Sequence, residues 1–464
     1  MKNYLLVICT VAGMLISSYI RAADEEFPVR APAAVKGTTA GMLDPGFWIS
    51  RIADPDRVMM SSDEIEALNQ RNTTRVIPAD HPYAKNIERI EKDGPVFTRM
   101  NPLETSGSFD GRIVRDRLSV NSERLRSGTF YDRWALPVTD EKKEAWIAAS
   151  DAGSVPDTIA PKTAMIVRRT SARLYPTSEP AYRMRGYLDD NNVTSLDRNM
   201  PAAVLHRSPT GDYLFVMTPI AWGWVSVEDI AYAPSRTIMR HTDPERFLVA
   251  YGDAVPMYAD IECGVIAGHL QMGERVELIE TTSGKHLVSI PARCHNGELE
   301  YRWAWVRSDA AVNAGWLPYT QRNVIETAFR LLGRPYGWHD SWNERDCGGI
   351  MRVIFNCFGF TLPRYWSFEQ LCSDHATYVG DNEDAAEKNA MLAEMPAGLT
   401  FTGTTGHITL YLGTVDGKPY CIHQCGWNYK DGDTEYKMAR VIVSDYENIG
   451  FNMNRVQFFT PMLP

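Results

Sequence analysis

The sequence has no excess of positive charge: 48 Lys and Arg stand against 58 Asp and Glu, a formal net charge of −10. Nucleic-acid affinity rests largely on neutralising phosphates with a basic stripe, so this balance argues against a nucleic-acid partner. There is also no long stretch of low hydrophobicity and high charge. With 44% hydrophobic and 11% aromatic residues, the chain has apolar material for several packed cores rather than a disordered tract. Beyond residue 22 there is no apolar run that could span a bilayer.

What is present at the start reads as an export signal over residues 1–22. Lys2 supplies a positive n-region, Tyr4 to Ile20 is apolar, and Arg21-Ala22-Ala23 precedes the acidic Asp24-Glu25-Glu26. This pattern predicts cleavage near Ala22 and a periplasmic or extracellular destination, with an uncleaved anchor as the alternative. Cleavage would remove Cys9 and leave seven cysteines, at 263, 294, 347, 357, 372, 421 and 425. In an oxidising compartment an odd number leaves one thiol over, a first hint of a nucleophile.

The texture of the remaining chain changes three times. Residues 23–158 read as an irregular, partly helical segment, with Ser61-Ser62-Asp63-Glu64 as a capping box ahead of Ile65 and Leu68. Residues 159–235 and 236–318 are rich in short strands separated by turn signals such as Pro209-Thr210-Gly211-Asp212, and each carries a Trp-x-Trp-Val strand, at 222–225 and 303–306. That spacing predicts two small β-barrels, the Trp residues serving mainly as core. Residues 308–319 read as a linker. From Thr320 the spacing of Val324, Ala328, Leu331 and Leu332 predicts a helix ended by Gly333 and Pro335.

The chemistry concentrates after that helix. A polar loop ends in Asp346-Cys347-Gly348-Gly349, and Ile350, Met351, Val353, Ile354 and Phe355 then follow helical spacing. Cys347 is thus placed at a helix N-terminus, where backbone N–H groups and the helix dipole favour the thiolate that acyl transfer requires. Downstream, Gly406 to Gly413 is an alternating strand opening on His407, and Tyr420 to Gln424 is the next strand after an Asp416-Gly417 turn. A hairpin would bring His423 beside His407, giving a nucleophile, a base and an orienting residue.

These motifs resemble the NlpC/p60-type cell-wall cysteine peptidases. Arg334-Pro335-Tyr336-Gly337-Trp338 resembles the loop ahead of their cysteine, and Leu362-Pro363-Arg364 the one after their helix. The resemblance covers about residues 320–440. Upstream it is to the subgroup with an N-terminal stabilising segment and two bacterial SH3-like domains. It implies an α+β multidomain protein: a helical or irregular N-terminal segment, two SH3-like barrels, and a papain-like catalytic domain over 319–464. It also implies hydrolysis of the bond between γ-D-glutamate and a diamino acid (meso-diaminopimelate or lysine) in peptidoglycan stem peptides. Such substrates would carry a free N-terminal L-alanine, and no cofactor would be needed.

Carried over by position, Cys347 would be the nucleophile, His407 the base and His423 the orienting residue. The backbone N–H of Cys347 would line an oxyanion hole, worth about 3 kcal/mol. Asp346 would meet the substrate amine, Tyr336 and Gly348 would line the cleft, and Glu179 and Tyr182 would close it from the first barrel. Gly348 stands where many relatives have Ser, and His339-Asp340 where they have Gly-Gly.

Bland readings stand beside these. Cys421-x-His423-x-Cys425 clusters soft ligands and could be a zinc site, although Gly426 suggests that the strand does not run regularly that far; no metal is expected. Disulfides, for example Cys263 with Cys294, are the alternative use of the other cysteines. A catalytically idle murein-binding protein, or an amidase or acyltransferase on the same scaffold, are the competing functions. Intact Cys347, His407 and His423 argue against the first, and Asp346 as an amine-binding carboxylate against a lipid acyl transferase.

Overall fold

The structure, a computed structural model, describes residues 29–30, 33–74, 102–103, 107–184, 187–364, 372–380, 384–448 and 452–464. The export-signal expectation for residues 1–22 lies outside the described residues. Among the described residues no helix is long and apolar enough to cross a membrane.

Two parts of the N-terminal segment attach to different neighbours. Helix α1 (Ser62–Thr74) opens on the expected capping box: Ser61 N–H donates to Glu64 Oε2 at 2.7 Å, and Glu64 N–H to Ser61 Oγ at 3.3 Å. Its Ile65 and Leu68 share a core with Met351, Ile354 and Phe355 of the C-terminal region. Asn69 ties it there, donating to Gly359 O and accepting from Thr361 N–H, each at 2.8 Å. Helix α2 (Gly111–Ser127), which α3 (Asp140–Ala149) follows, instead packs Val114 and Leu118 against Leu205, Phe215, Trp222 and Trp224.

The two strand-rich regions form two seven-stranded antiparallel sheets. The first runs, by spatial order, Ile230–Tyr232, Lys162–Ile166, Pro201–Arg207, Tyr213–Met217, Trp222–Ser226, β1 (Thr170–Arg173) and β2 (Asn192–Leu196). Alternation puts Ala164, Ala172, Val204, Leu214, Val216 and Val225 on one face and the α2-covered aromatics on the other. The second sheet runs Ile266–Leu270, Val255–Tyr258, Leu299–Arg307, Lys285–Arg293, Arg275–Thr282, Phe247–Ala250 and Val312–Ala314. Neither ladder joins its two edge strands among the described residues. Among the described residues no closed barrel is found, and the edge strand β2 spends its polar side chains on the C-terminal region.

Several local expectations change. Within the region read as 236–318, the short strands Phe247–Ala250 and Val255–Tyr258 are separated around Ala254, whose φ is +55°. The supposed linker contains Val312–Ala314, which pairs with Phe247–Ala250 and so belongs to the second sheet. Trp222 is buried, but its counterpart Trp303 is 70% exposed because it lies on the solvent face of the second sheet. All seven described cysteines are free thiols. Cys294 Sγ bonds Glu300 Oε2 at 3.1 Å rather than Cys263, whose sulfur lies 3.8 Å from Ile261 O.

The C-terminal region sets helices against a six-stranded antiparallel sheet. After α4 (Gln321–Phe329) and α5 (Cys347–Asn356), the sheet runs Thr377–Tyr378, β7 (Phe458–Pro461), β3 (Thr400–Thr404), β4 (His407–Val415), β5 (Lys418–Cys425) and β6 (Arg440–Asp445). Thr320 caps α4 by accepting from Asn323 N–H at 3.1 Å. Helix α5 packs on β4 and β5, with Ile350, Met351, Val353, Ile354 and Phe355 meeting Phe401, Ile408, Leu410 and Ile422.

Candidate active site

Helix α5 begins at Cys347 because Asp346 is its N-cap: Asp346 Oδ1 accepts from Gly349 N–H at 2.9 Å. Gly348 and Gly349 complete a buried first turn. A Cβ on Gly349 would fall 2.1 Å from Asp340 Oδ1, so glycine is what lets a buried carboxylate approach this turn. Cys347 itself is buried, at the positive end of the helix dipole.

The hairpin of β4 and β5, turned at Asp416 and Gly417, brings the two histidines together. Nε2 of His407 lies 2.8 Å from Nδ1 of His423. Nε2 of His423 lies 3.1 Å from Ser444 Oγ on β6. Burial, and then the neighbouring imidazole, holds His407 well below the usual histidine range. Burial pushes His423 down to about 3. Both rings are therefore neutral at neutral pH. Trp427 stands edge-on to His407 with ring centroids 4.6 Å apart. Sequence reasoning missed Ser444 and Trp427, since only the fold of β6 and the chain after β5 brings them to the imidazoles.

Contrary to the sequence expectation, β5 pairs regularly with β6 through Cys425. Cys421, His423 and Cys425 thus share a face. On a strand, side chains two residues apart stand parallel rather than converge. Burial pushes both thiols up to about 12, so neither offers a thiolate.

The loop ahead of the helix is unusual. In the turn at 338–343, His339, Asp340, Trp342 and Asn343 all have φ between +52° and +62°, a region that costs non-glycine residues energy and persists only when neighbours hold it. Strand β2 does so. Asn192 Nδ2 donates to His339 O (2.7 Å) and Ser341 Oγ (3.0 Å), Ser195 Oγ donates to Asp340 O (2.7 Å), and Thr194 Oγ1 donates to Asp340 Oδ2 (3.0 Å). Asp340 is fully buried. Burial works to raise its pKa, but Arg364, Arg352 and Arg169 prevail and hold it down to about 2. Arg364 also forms a two-pronged pair with Asp346, at 3.2 and 2.7 Å.

The structure brings Cys347, His407 and His423 to adjoining element starts and strands, with Asp346 and Gly348 flanking the cysteine. Tyr336 is half-buried, its ring so close over Gly426 that a Cβ there would fall 2.8 Å away. Gln424 fastens this loop by donating to Pro335 O and Arg345 O, at 2.7 and 2.9 Å. Tyr182 lines a cavity beside Ser341 and Trp342. Glu179 does not line it; its carboxylate pairs with Lys142.

Residues 333–437 match the model of the NlpC/P60 family. This segment is therefore an NlpC/P60-type domain. Its fold is similar to that of an NlpC/P60 endopeptidase from Photobacterium damselae subsp. piscicida, at 16% identity and a TM-score of 0.71, over 94% of this chain and 99% of that one. An NlpC/P60 family protein from Bacillus cereus ATCC 10987 overlaps 65% of this chain and all of its own, at 16% identity and a TM-score of 0.47. No curated protein matches the chain at a significant level. The NlpC/P60 domain supports a peptidoglycan-related hydrolase, and the fold likeness extends across the upstream sheets as well.

Proposed function

We propose that this protein is an exported cysteine peptidase that cleaves the γ-D-glutamyl–diamino acid bond of peptidoglycan stem peptides through Cys347. The observation that carries the reading is the His407–His423–Ser444 chain on the sheet that packs against the Cys347 helix. With Nε2–H of His407 donated to His423, and Nε2–H of His423 donated to Ser444, Nδ1 of His407 is the basic nitrogen. His407 takes the thiol proton and Cys347 Sγ attacks the γ-carbonyl. Backbone N–H groups at the α5 N-terminus stabilise the oxyanion. The intermediate collapses to a thioester as His407 returns the proton to the departing amine. Water, deprotonated by His407, then releases the γ-glutamyl product and the thiolate is reprotonated.

Tyr336 and Gly348 line the cleft in this reading, and the sheets over 159–235 and 236–318 are the SH3-like units. A free amine at Asp346 is not part of it, because both carboxylate oxygens are engaged by Gly349 and Arg364. Mass-spectrometric digestion of γ-D-glutamyl-diaminopimelate and -lysine peptides tests the reading, with release by the wild type and none by Cys347→Ala. Failure of the reduced wild type on every such peptide overturns it in favour of a murein-binding role.

A further inference from the structure

A cavity of about 350 Å³ lies where β2 meets the 338–343 turn, walled by Arg133, Tyr182, Asp189, Asn192, Ser341 and Trp342. It adjoins the nucleophile's helix: Asp340, next to Ser341, accepts from Asp346 N–H at 3.3 Å. The carboxylates around it are committed. Asp189 accepts from Ala181 N–H (2.9 Å) and Asn191 N–H (3.0 Å), and its other oxygen meets Arg173 at 3.5 Å. Asp346 caps α5 and pairs with Arg364, and Glu179 pairs with Lys142.

The groups left over are neutral or positive. Asn192 is 1% exposed, and its Oδ1 has no partner. Its orientation is fixed by the two bonds its Nδ2 donates to His339 O and Ser341 Oγ. At the mouth, Arg133 is exposed and forms no hydrogen bond or ion pair among the described residues. Trp342, 57% exposed, offers a flat apolar face beside it. A buried ammonium needs an anion, and Arg133 would repel it; an amide N–H needs only one neutral acceptor.

We propose that this cavity is the acyl-side subsite of the cleft and selects an amide-linked N-terminus, donating its N–H to Asn192 Oδ1, over a free amine. The inference rests on the Cys347 reading. It makes the substrates stem peptides still N-acylated on the residue before γ-D-glutamate, with the acyl group lying between Trp342 and Arg133.

The test compares kcat/KM of the full chain on L-Ala-γ-D-Glu-diaminopimelate and on its N-acetyl form. The wild type is expected to favour the acetylated peptide by about tenfold or more. Asn192→Asp, which places a carboxylate at the unfilled acceptor, is expected to reverse the preference. Because Asn192 also clamps the turn, the exposed Arg133→Glu provides an independent arm. It should move the ratio toward the free amine by about fivefold, the size expected of a charge reversal near a protein surface. A wild type that prefers the free amine, or a ratio that Arg133→Glu leaves unchanged, overturns the subsite while the peptidase reading stands. Cleavage of neither peptide overturns both.

Discussion

His407 and His423 face each other across the β4–β5 hairpin with Nε2 and Nδ1 2.8 Å apart, and Ser444 takes the far nitrogen of His423 at 3.1 Å. The arrangement orders three side chains from three successive strands of the sheet, so His407, the base of the proposed mechanism, is oriented by a neutral ring rather than by a carboxylate. A neutral orienting group fixes the tautomer while adding little stabilisation to an imidazolium.

The roles in that chain are graded. Cys347→Ala and His407→Ala should each reduce turnover to background, a loss of about 100-fold or more for the base alone. Ser444→Ala should lower kcat several-fold with KM little changed, because Ser444 acts only through the tautomer of His423. Steady-state kinetics on a γ-D-glutamyl-diaminopimelate peptide reads both constants; an unchanged kcat in Ser444→Ala would remove Ser444 from the relay.

Acid should destabilise the protein through the same rings. Below about pH 6.5 an unfolded chain protonates its histidines, whereas burial keeps His407 and His423 neutral in the fold. The unfolded state then binds more protons. Stability is full above pH 6.5 and falls as pH drops below it, by up to about 1.4 kcal/mol per pH unit for each ring, down to about pH 3 for His423. Denaturant midpoints between pH 7 and 4.5 check this, and His423→Gln should show a shallower decline than the wild type.

Asp340 ties the first sheet to the peptidase domain by meeting Thr194, Arg364 and Arg352 while fully buried. Asp340→Asn leaves two buried guanidinium groups short of an anion and should cost about 3–5 kcal/mol. Thermal denaturation measures the loss. A stability equal to wild type would mean that Arg364 and Arg352 are adequately paired by Asp346 and Asp197 alone.

Packing around the first turn of α5 leaves no room for a methyl group. Gly349→Ala puts its Cβ 2.1 Å from Asp340 Oδ1, and moving that carboxylate disturbs its ion pairs, for a cost of about 1–3 kcal/mol. Urea unfolding of this variant tests whether Asp340 can give way.

The paired Trp-x-Trp-Val strands should respond in opposite ways. Trp224→Ala empties a fully buried site between the first sheet and α2 and should cost about 3–5 kcal/mol. Trp303→Ser alters a mostly exposed face and should change stability by no more than about 0.5 kcal/mol. Equal losses in the two variants would contradict the difference in burial.

Local chemistry made much of this legible in advance. The capping box at Ser61, the helix after Cys347, the alternation of the β4 and β5 strands and the turn at Asp416-Gly417 all depend on residues within a few positions of one another. So does the approach of His423 to His407, because a tight hairpin fixes its own register. The sequence could not supply the long-range pairings. Ser444 reaches His423 only through β6, and Trp427 reaches His407 only after β5 has run through Cys425. The open edge of the first sheet was equally hidden, because its polar side chains are satisfied by a turn about 150 residues later. Asp346 illustrates the division best: its place ahead of Cys347 marked it by sequence as a carboxylate at the helix start, but only the tertiary fold put Arg364 against it.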